Sequence, residues 1–434
     1  MIQSNSFFHH FFDFIRRLPR AFELAAKILL VAVVFFIPLH SPTTKTLIYL
    51  FLLAWFFSGG YIKKWQLVRG NPFLWVSMLL YLAVYIGSFY GESDERAANQ
   101  QLRAYAPVLL PIFITPLFQE LQWRRQAFYA FMASMALTLF LSMLHVLWPL
   151  PWSFGFLNVS PQSANVFKSH ITQNVMMSIF LLGCLLMFRT GLAWWKKALI
   201  LIFSMTAVVN ITFFVIGRTG YLTLLVSLLV VYIFVVPKLI RWRIAVLVWT
   251  FLFLIIAYSP NLMDRFLGVF SEIHAYQSGG DMTSSGARLE YWGRSLELLK
   301  QKPMWGFGTG SWTTEFCRVS RSEQWCNAWS TVHPHNQFLH LGVQLGGLGL
   351  LCLIFYFAVS AKLSWAYKGR DRAWLLGLWG ALLVMSMVDV PLYIIDESRF
   401  FPVMLGVFLA GYRPNLQAGA WTMEPDLHAA TAHS

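Results

Sequence analysis

The sequence predicts an all-α polytopic membrane protein with about twelve transmembrane helices and one large, partly helical loop outside the bilayer. The first observation behind this is composition: 434 residues, 57% hydrophobic and 17% aromatic, only 12% charged, with mean hydropathy +0.58. An ordinary soluble domain carries about twice that charged fraction. The second is the recurrence of apolar runs of roughly the 20 residues needed to cross a hydrocarbon core about 30 Å thick. The third is the lopsided placement of Lys and Arg between the runs. Four cysteines in so long a chain exclude a disulfide-rich secreted scaffold, and the hydrophobicity excludes a disordered chain.

The apolar runs fall at 22–39, 44–60, 73–90, 104–118, 126–149, 170–188, 198–216, 219–236, 243–258, 338–360, 373–392 and 398–412. The runs at 104–118 and 398–412 are short for a full crossing, which suits tilted pairs, broken helices or partial spans. With the N-terminus cytoplasmic, twenty of the 33 Lys and Arg lie inside, from Arg16 and Arg17 through Lys196, Lys197 and Arg243 to Arg413. Six lie in or near short outside loops, and seven in one long outside loop. That asymmetry places both termini in the cytoplasm. The acidic residues cancel the basic ones outside, so the net charge of +14 resides on the cytoplasmic side, against an anionic leaflet. Nucleic acid is not needed to explain it.

Four regions follow. Residues 1–258 comprise an N-terminal amphipathic segment and about nine transmembrane helices, 259–337 the large outside loop, 338–412 about three further helices, and 413–434 a polar cytoplasmic tail. Phe7, Phe8, Phe11, Phe12 and Ile15 form an apolar stripe ahead of Arg16 and Arg17, suited to lying on the inner leaflet. The first long apolar run starts late and no small-residue cleavage site follows it, which argues against a cleaved signal peptide.

A loop of that length is usually functional or carries structure of its own. From Ala287 to Lys300, Leu289, Trp292, Leu296 and Leu299 recur at helical spacing, Ser284 and Ser285 offer N-cap oxygens, and Pro303 supplies a stop. Gly306, Gly308 and Gly310 mark tight turns. As a phosphate cradle the glycine run is weak, because no Lys-Ser/Thr follows it. Cys317 and Cys326 sit in the same loop, in what would be an oxidising compartment, and favour a disulfide. Cys184 and Cys352 fall in spans as small apolar residues.

Three features carry chemistry. Arg218, in Gly217-Arg218-Thr219-Gly220, sits between two apolar runs with almost no room for a loop. A snorkelling arginine is the plain reading, but flanking glycines admit a close neighbour and an ionisable group at a span junction points to function. Arg288 and Arg294 share the loop helix. A guanidinium fork suits phosphate oxygens, and surface ion pairs with Glu290 or Glu297 are the competing reading. His333-Pro334-His335-Asn336 precedes the tenth span, and histidine accepts a proton near neutrality. A zinc site competes, although no cysteine or carboxylate has the usual companion spacing. Glu92, Asp94 and Glu95 read as a solvated acidic turn rather than metal ligands. Asp389, inside the eleventh run, stands nearly alone, and a transporter would place such groups near the midplane.

His335-Asn336, nine residues, and Gly346-Gly347-Leu348-Gly349 resemble the H-N/S/Q-x9-G-x-x-G/T/Y signature of bacterial O-antigen ligases. Arg218 in Gly-Arg-Thr-Gly, Arg288 in Arg-Leu-Glu-Tyr-Trp, and the run Pro303 to Gly310 are similar to further motifs of that family, over roughly 210–360. O-antigen polymerases and protein O-oligosaccharyltransferases share these motifs. The resemblance implies a GT-C-like glycosyltransferase of the bacterial inner membrane with a periplasmic active site. Its donor would be an undecaprenyl-diphosphate-linked glycan and its acceptor a sugar hydroxyl of lipid A–core, with inversion and no metal or other cofactor. His335 would be the base, Arg218 and Arg288 would hold the diphosphate, and Arg265, Arg294, His333 and Asn336 would contact substrate, Asn336 orienting the imidazole. Trp305, Trp312, Trp325 and Trp329 offer stacking surfaces to sugars, with packing of the loop itself the favoured role for most of them.

Overall fold

The computed structural model describes residues 3–91, 93–148, 163–215, 217–243, 246, 250, 260–277, 283–321, 323–326 and 332–412. Among them every regular element is a helix and no strand occurs. The architecture is that of a polytopic membrane protein. The first half holds α1 (Gln3–Phe36), α2 (Ser41–Phe57), α3 (Tyr61–Arg69), α4 (Pro72–Gly87), α5 (Glu95–Tyr105), α6 (Leu110–Ile114), α7 (Leu121–Leu147), α8 (His170–Met187), α9 (Trp194–Val209) and α10 (Arg218–Phe234). Then follow α11 (Pro260–Gln277), α12 (Ser284–Gln301), α13 (Trp312–Val319), α14 (Glu323–Cys326), α15 (Gln337–Ala366), α16 (Gly369–Val388) and α17 (Ile395–Phe408).

Among the described residues, five helices are long and apolar enough to cross a membrane: α7, α8, α9 with its π-helical extension to Phe214, α15 and α16. The pair α2 and α3, bent by 114°, makes a sixth candidate, while α4 and α10 are apolar but shorter. The apolar run at 104–118 is not one helix. Pro107 and Pro111 each lack a backbone N–H, and the chain passes from α5 through a 3-10 turn (Ala106–Leu109) into the five-residue α6. The run at 398–412 gives α17 and a closing 3-10 turn. Its fourteen helical residues reach about 21 Å at 1.5 Å each, short of the bilayer core. The expected amphipathic segment and first span merge into the single helix α1, which carries Pro19 within it. The run at 243–258 lies almost wholly outside the described residues.

Burial sorts the helices. Leu50, Leu53, Phe56 and Phe57 on α2, Leu79, Leu82 and Ile86 on α4, and Leu351, Ile354 and Phe355 on α15 are exposed. These are faces suited to lipid, because each helix satisfies its backbone internally. By contrast α8 is buried along nearly all its length and packs against α7, α9, α10 and α16. Lys168, 4% exposed at its side chain, pairs with Asp396 at 2.6 Å, and the ammonium also donates to Ser41. The starts of α2, α8 and α17 are thereby tied together at one end of the bundle.

The long loop folds as expected but with a different buried face. The helix α12 spans Ser284–Gln301 and is capped by Thr283, whose hydroxyl accepts from the Gly286 N–H at 3.1 Å, rather than by Ser284 or Ser285. Its buried face is Tyr291, Ser295 and Leu298, packed with Phe307, Trp312, Phe316 and Val343 into a second small core. Leu296, expected inside, is half exposed, because α12 is covered on one side by α13 and on another by α15. A disulfide joins Cys317 to Cys326.

The glycine run is structural. Gly306, Gly308 and Gly310 all take positive φ (66°, 93° and 89°), and so does Gly346 at 62°, where α15 kinks. Phe307 and Gly308 N–H donate to the Val343 and Gln344 carbonyls at 2.9 and 2.7 Å, Gly347 N–H donates to Pro303 O at 2.7 Å, and Thr309 N–H to Gly87 O at 2.9 Å. A Cβ on Gly308 would collide with the backbone of Gly91. Gly308→Ala is therefore expected to destabilise the protein by more than about 1–3 kcal/mol of backbone strain. A lowered thermal midpoint in detergent checks this; an unchanged midpoint would show the clamp to be dispensable.

Candidate active site

Four chain segments converge where the loop meets the bundle: the start of α10, the first turns of α12, the turn before α15, and the end of α16. Arg218 is the first residue of α10, and Gly217 and Gly220 let that start lie against α8. A Cβ on Gly220 would meet the Asn174 side chain at 2.7 Å, and Asn174 Nδ2 donates to Val215 O at 2.9 Å. From there the Arg218 guanidinium donates to Ser285 Oγ at 2.7 Å and to Glu272 Oε1 at 2.9 Å. The other Glu272 oxygen accepts the Ser285 N–H at 2.9 Å. Burial works against the Glu272 charge, but the Arg218 and Ser285 bonds hold its carboxyl below the usual range. An anion thus already rests between a guanidinium and a helix N-terminus, where backbone dipoles favour negative charge.

Arg288 lies one turn further along α12. It is partly buried, and its electrostatic partners are Asp389, Arg218 and Glu272. Burial pulls its pKa down, Asp389 opposing and Arg218 reinforcing. Arg218, Arg288 and the end of α16 therefore share one electrostatic neighbourhood.

The His333–Asn336 turn completes it. Asn336 caps α15, its Oδ1 accepting the Phe338 and Leu339 N–H groups at 3.0 Å each, while its Nδ2 donates to Met387 O at 3.0 Å. Those bonds corrected the expectation that Asn336 orients an imidazole: its side chain instead holds the turn to α15 and α16. Trp292 Nε1 donates to Pro334 O at 3.0 Å, and Tyr291 stacks on His335 at 6.2 Å between centroids. His335 adopts φ 51°, a left-handed backbone found in no other non-glycine residue among those described.

The group beside the imidazole is Asp389. Its Oδ1 lies 3.3 Å from His335 Nδ1 and 3.9 Å from His333 Nδ1. It also accepts the Val390 N–H at 3.0 Å. Asp389 is the residue after α16 rather than a group inside a span, and sequence reasoning set it aside. The available signal was its position at the end of an apolar run, before Val390-Pro391. Burial opposes its charge, yet His335 first and then His333 hold the carboxyl below its ordinary range. Burial, with help from His335 and Arg288, pushes His333 down to about 4.

The other expected contacts fall elsewhere. Arg294 pairs with Glu290 at 2.9 Å and Glu297 at 2.7 Å, the surface ion pairing that competed with substrate contact. The side chain of Arg265 lies outside the described residues, as do Glu92 and Trp329. Asp94 and Glu95 are exposed at the start of α5. His340 is buried within α15 beside Tyr105 Oη at 3.1 Å, away from the Asp389 pair. Trp312 is buried in the loop core and Trp325 packs against it, whereas Trp305 is 61% exposed and remains available as a surface.

Residues 211–354 match the family model described as O-antigen ligase. That stretch, a third of the chain, is similar to O-antigen ligases. The matched stretch runs from the π-helical end of α9 to the middle of α15, and so takes in Arg218, Arg288, His335 and the glycine clamp. No curated protein matches the sequence. A chain from a solved structure titled "Structural coordination of polymerization and crosslinking by a peptidoglycan synthase complex" aligns at 15% identity and TM-score 0.44, over 78% of this chain and 95% of that one. That likeness is too loose to bear on the site.

With its pKa depressed, the His333 ring is expected to stay neutral at physiological pH and to take up a proton only near pH 4. Histidine resonances followed by NMR across a pH titration check this, and a midpoint near the ordinary 6.5 would contradict it.

Proposed function

We propose that this protein is an O-antigen ligase in the strict sense. It transfers a glycan from undecaprenyl diphosphate to a sugar hydroxyl of lipid A–core at the periplasmic face of the bacterial inner membrane. The observation that carries the reading is Arg288, in electrostatic range both of Arg218 and of the Asp389 carboxylate that pairs with the His335 imidazole.

The chemistry follows from charge. A diphosphate leaving group gains negative charge as the glycosidic C–O bond breaks, and Arg218 and Arg288 are positioned to receive it. Donors of this kind are each worth about 10²–10³ in rate. The acceptor hydroxyl must lose a proton as it attacks. His335 takes that proton, a contribution of about 10²–10⁴, and the neighbouring Asp389 carboxylate stabilises the imidazolium that results. Attack opposite the diphosphate inverts the anomeric carbon. His333 lines the same pocket beside the acceptor. The arginines perform the task a divalent cation performs elsewhere, so transfer is independent of metal. The twelve-span, GT-C-like architecture with both termini cytoplasmic belongs to this reading, and it puts the loop and its disulfide on the oxidising side.

Polymerase chemistry uses the same donor and differs in acceptor. Purified protein incubated with undecaprenyl-diphosphate glycan and rough lipopolysaccharide is expected to ladder the lipid A–core band on a gel. Lengthening of the lipid-linked glycan alone would assign a polymerase instead. His335→Ala is expected to lower transfer at least about 100-fold in protein that still folds and inserts, and near-normal turnover would remove it as the base. Arg288→Lys is expected to impair transfer because an ammonium cannot reproduce the fork. EDTA is expected to leave transfer intact; loss of activity restored by Mg2+ would overturn the metal-free mechanism.

A further inference from the structure

His333, His335 and Asp389 present three ligand atoms, all within 4.8 Å of one another. A tetrahedral transition metal with bonds of about 2.0–2.2 Å holds its ligand atoms roughly 3.4 Å apart. The His335–Asp389 separation of 3.3 Å already meets that spacing, and the His333–Asp389 separation of 3.9 Å is half an ångström too long. His333 belongs to the turn before α15 rather than to the helix, and a tilt of its ring, exchanging the His335 N–H that its Nδ1 accepts at 3.4 Å for the ion, closes the set. A second observation points the same way. His335 Nδ1 is sealed from solvent with no hydrogen-bond partner, facing Asp389 without the alignment of a hydrogen bond. A buried polar atom held only by this unaligned ion-pair contact is under-satisfied, and a metal ion would satisfy it.

We propose that His333, His335 and Asp389 form an inhibitory site for a borderline transition-metal dication of the Zn2+ class. Two imidazoles and one carboxylate suit Zn2+, Co2+, Ni2+ or Cu2+ and do not suit Mg2+ or Ca2+, which demand oxygen ligands in larger number. The Val390 N–H on Asp389 Oδ1 supplies the outer-shell support typical of such sites. Arg288, in electrostatic range of Asp389 and His333, opposes a cation and keeps the site weaker than a structural zinc centre. Occupancy is therefore reversible. The bound ion takes the Nδ1 lone pair of His335 and the Asp389 charge, and leaves the pair unable to accept and stabilise a proton. This inhibitory consequence rests on the role proposed for His335; the binding site itself does not.

The test uses full-length protein in nanodiscs, stripped with chelator. Titration with Co2+, read by its visible absorbance, and with Zn2+, read calorimetrically, is expected to show one equivalent that is lost in His333→Ala and in Asp389→Asn. The exposed control His274→Ala is expected to keep that equivalent, and thermal melting confirms that each variant is folded. Zn2+ is expected to suppress glycan transfer by the unmodified protein, and EDTA to restore it. Failure of the unmodified protein to bind an ion, or retention of the same equivalent by both folded ligand variants, would overturn the site. Binding without inhibition would overturn the switch. The gel assay of acceptor choice reports on the transfer reaction separately, whichever way the titration falls.

Discussion

A backbone-to-backbone clamp holds the site together. The segment from Pro303 to Gly310 exchanges hydrogen bonds with Val343, Gln344 and Gly347 at the kink of α15 and with Gly87 at the end of α4. Side chains would keep these chains too far apart for such bonds, which is why glycine occupies Gly306, Gly308 and Gly346. The loop helix α12 rides on this clamp and carries Arg288 over the end of α16. Backbone pairing between rigid elements positions a charged group far more tightly than a surface loop does. The small aromatic core of Tyr291, Trp312 and Phe316 then fixes the rotation of α12 about its own axis.

On that frame the charges are organised as compensating pairs in partly dry surroundings. Glu272 faces Arg218, and Asp389 faces His335, with Arg288 in range of both carboxylates. Partly buried ions demand such partners, since desolvation otherwise exceeds any Coulombic return. The pairs lie at the junction between bundle and loop. Lys168 and Asp396 do a different task at the same end of the bundle, fastening three helix starts to one another.

The membrane class, the helix near 287–300 and the disulfide pair were legible in the sequence, because each rests on a local signal: an apolar run, a helical period, a pair of cysteines in one loop. What was not legible depends on distance in space. Asp389 reaches His335 across more than fifty residues of chain, and no spacing rule connects them. The rotation of α12 was misjudged because the helix is covered on two sides, so its most apolar stripe is not its most buried one. Substrate contact is the sequence expectation for Asn336 and Arg294, whereas in the structure Asn336 caps α15 and Arg294 pairs with Glu290 and Glu297. The run at 104–118 carried its own warning in Pro107 and Pro111.

Residue 335 has to satisfy two requirements that seldom coincide. Its backbone turns left-handed at φ 51°, a geometry that β-branched and bulky residues resist and that Asn, Asp and His tolerate best after glycine. The role proposed for it adds a second requirement, a side chain that accepts a proton. Histidine meets both demands with a neutral ring, so under that role the position is chosen twice over, once by torsion and once by basicity. Asparagine would preserve the bend without the chemistry, and aspartate would preserve the bend only by setting a second carboxylate against Asp389.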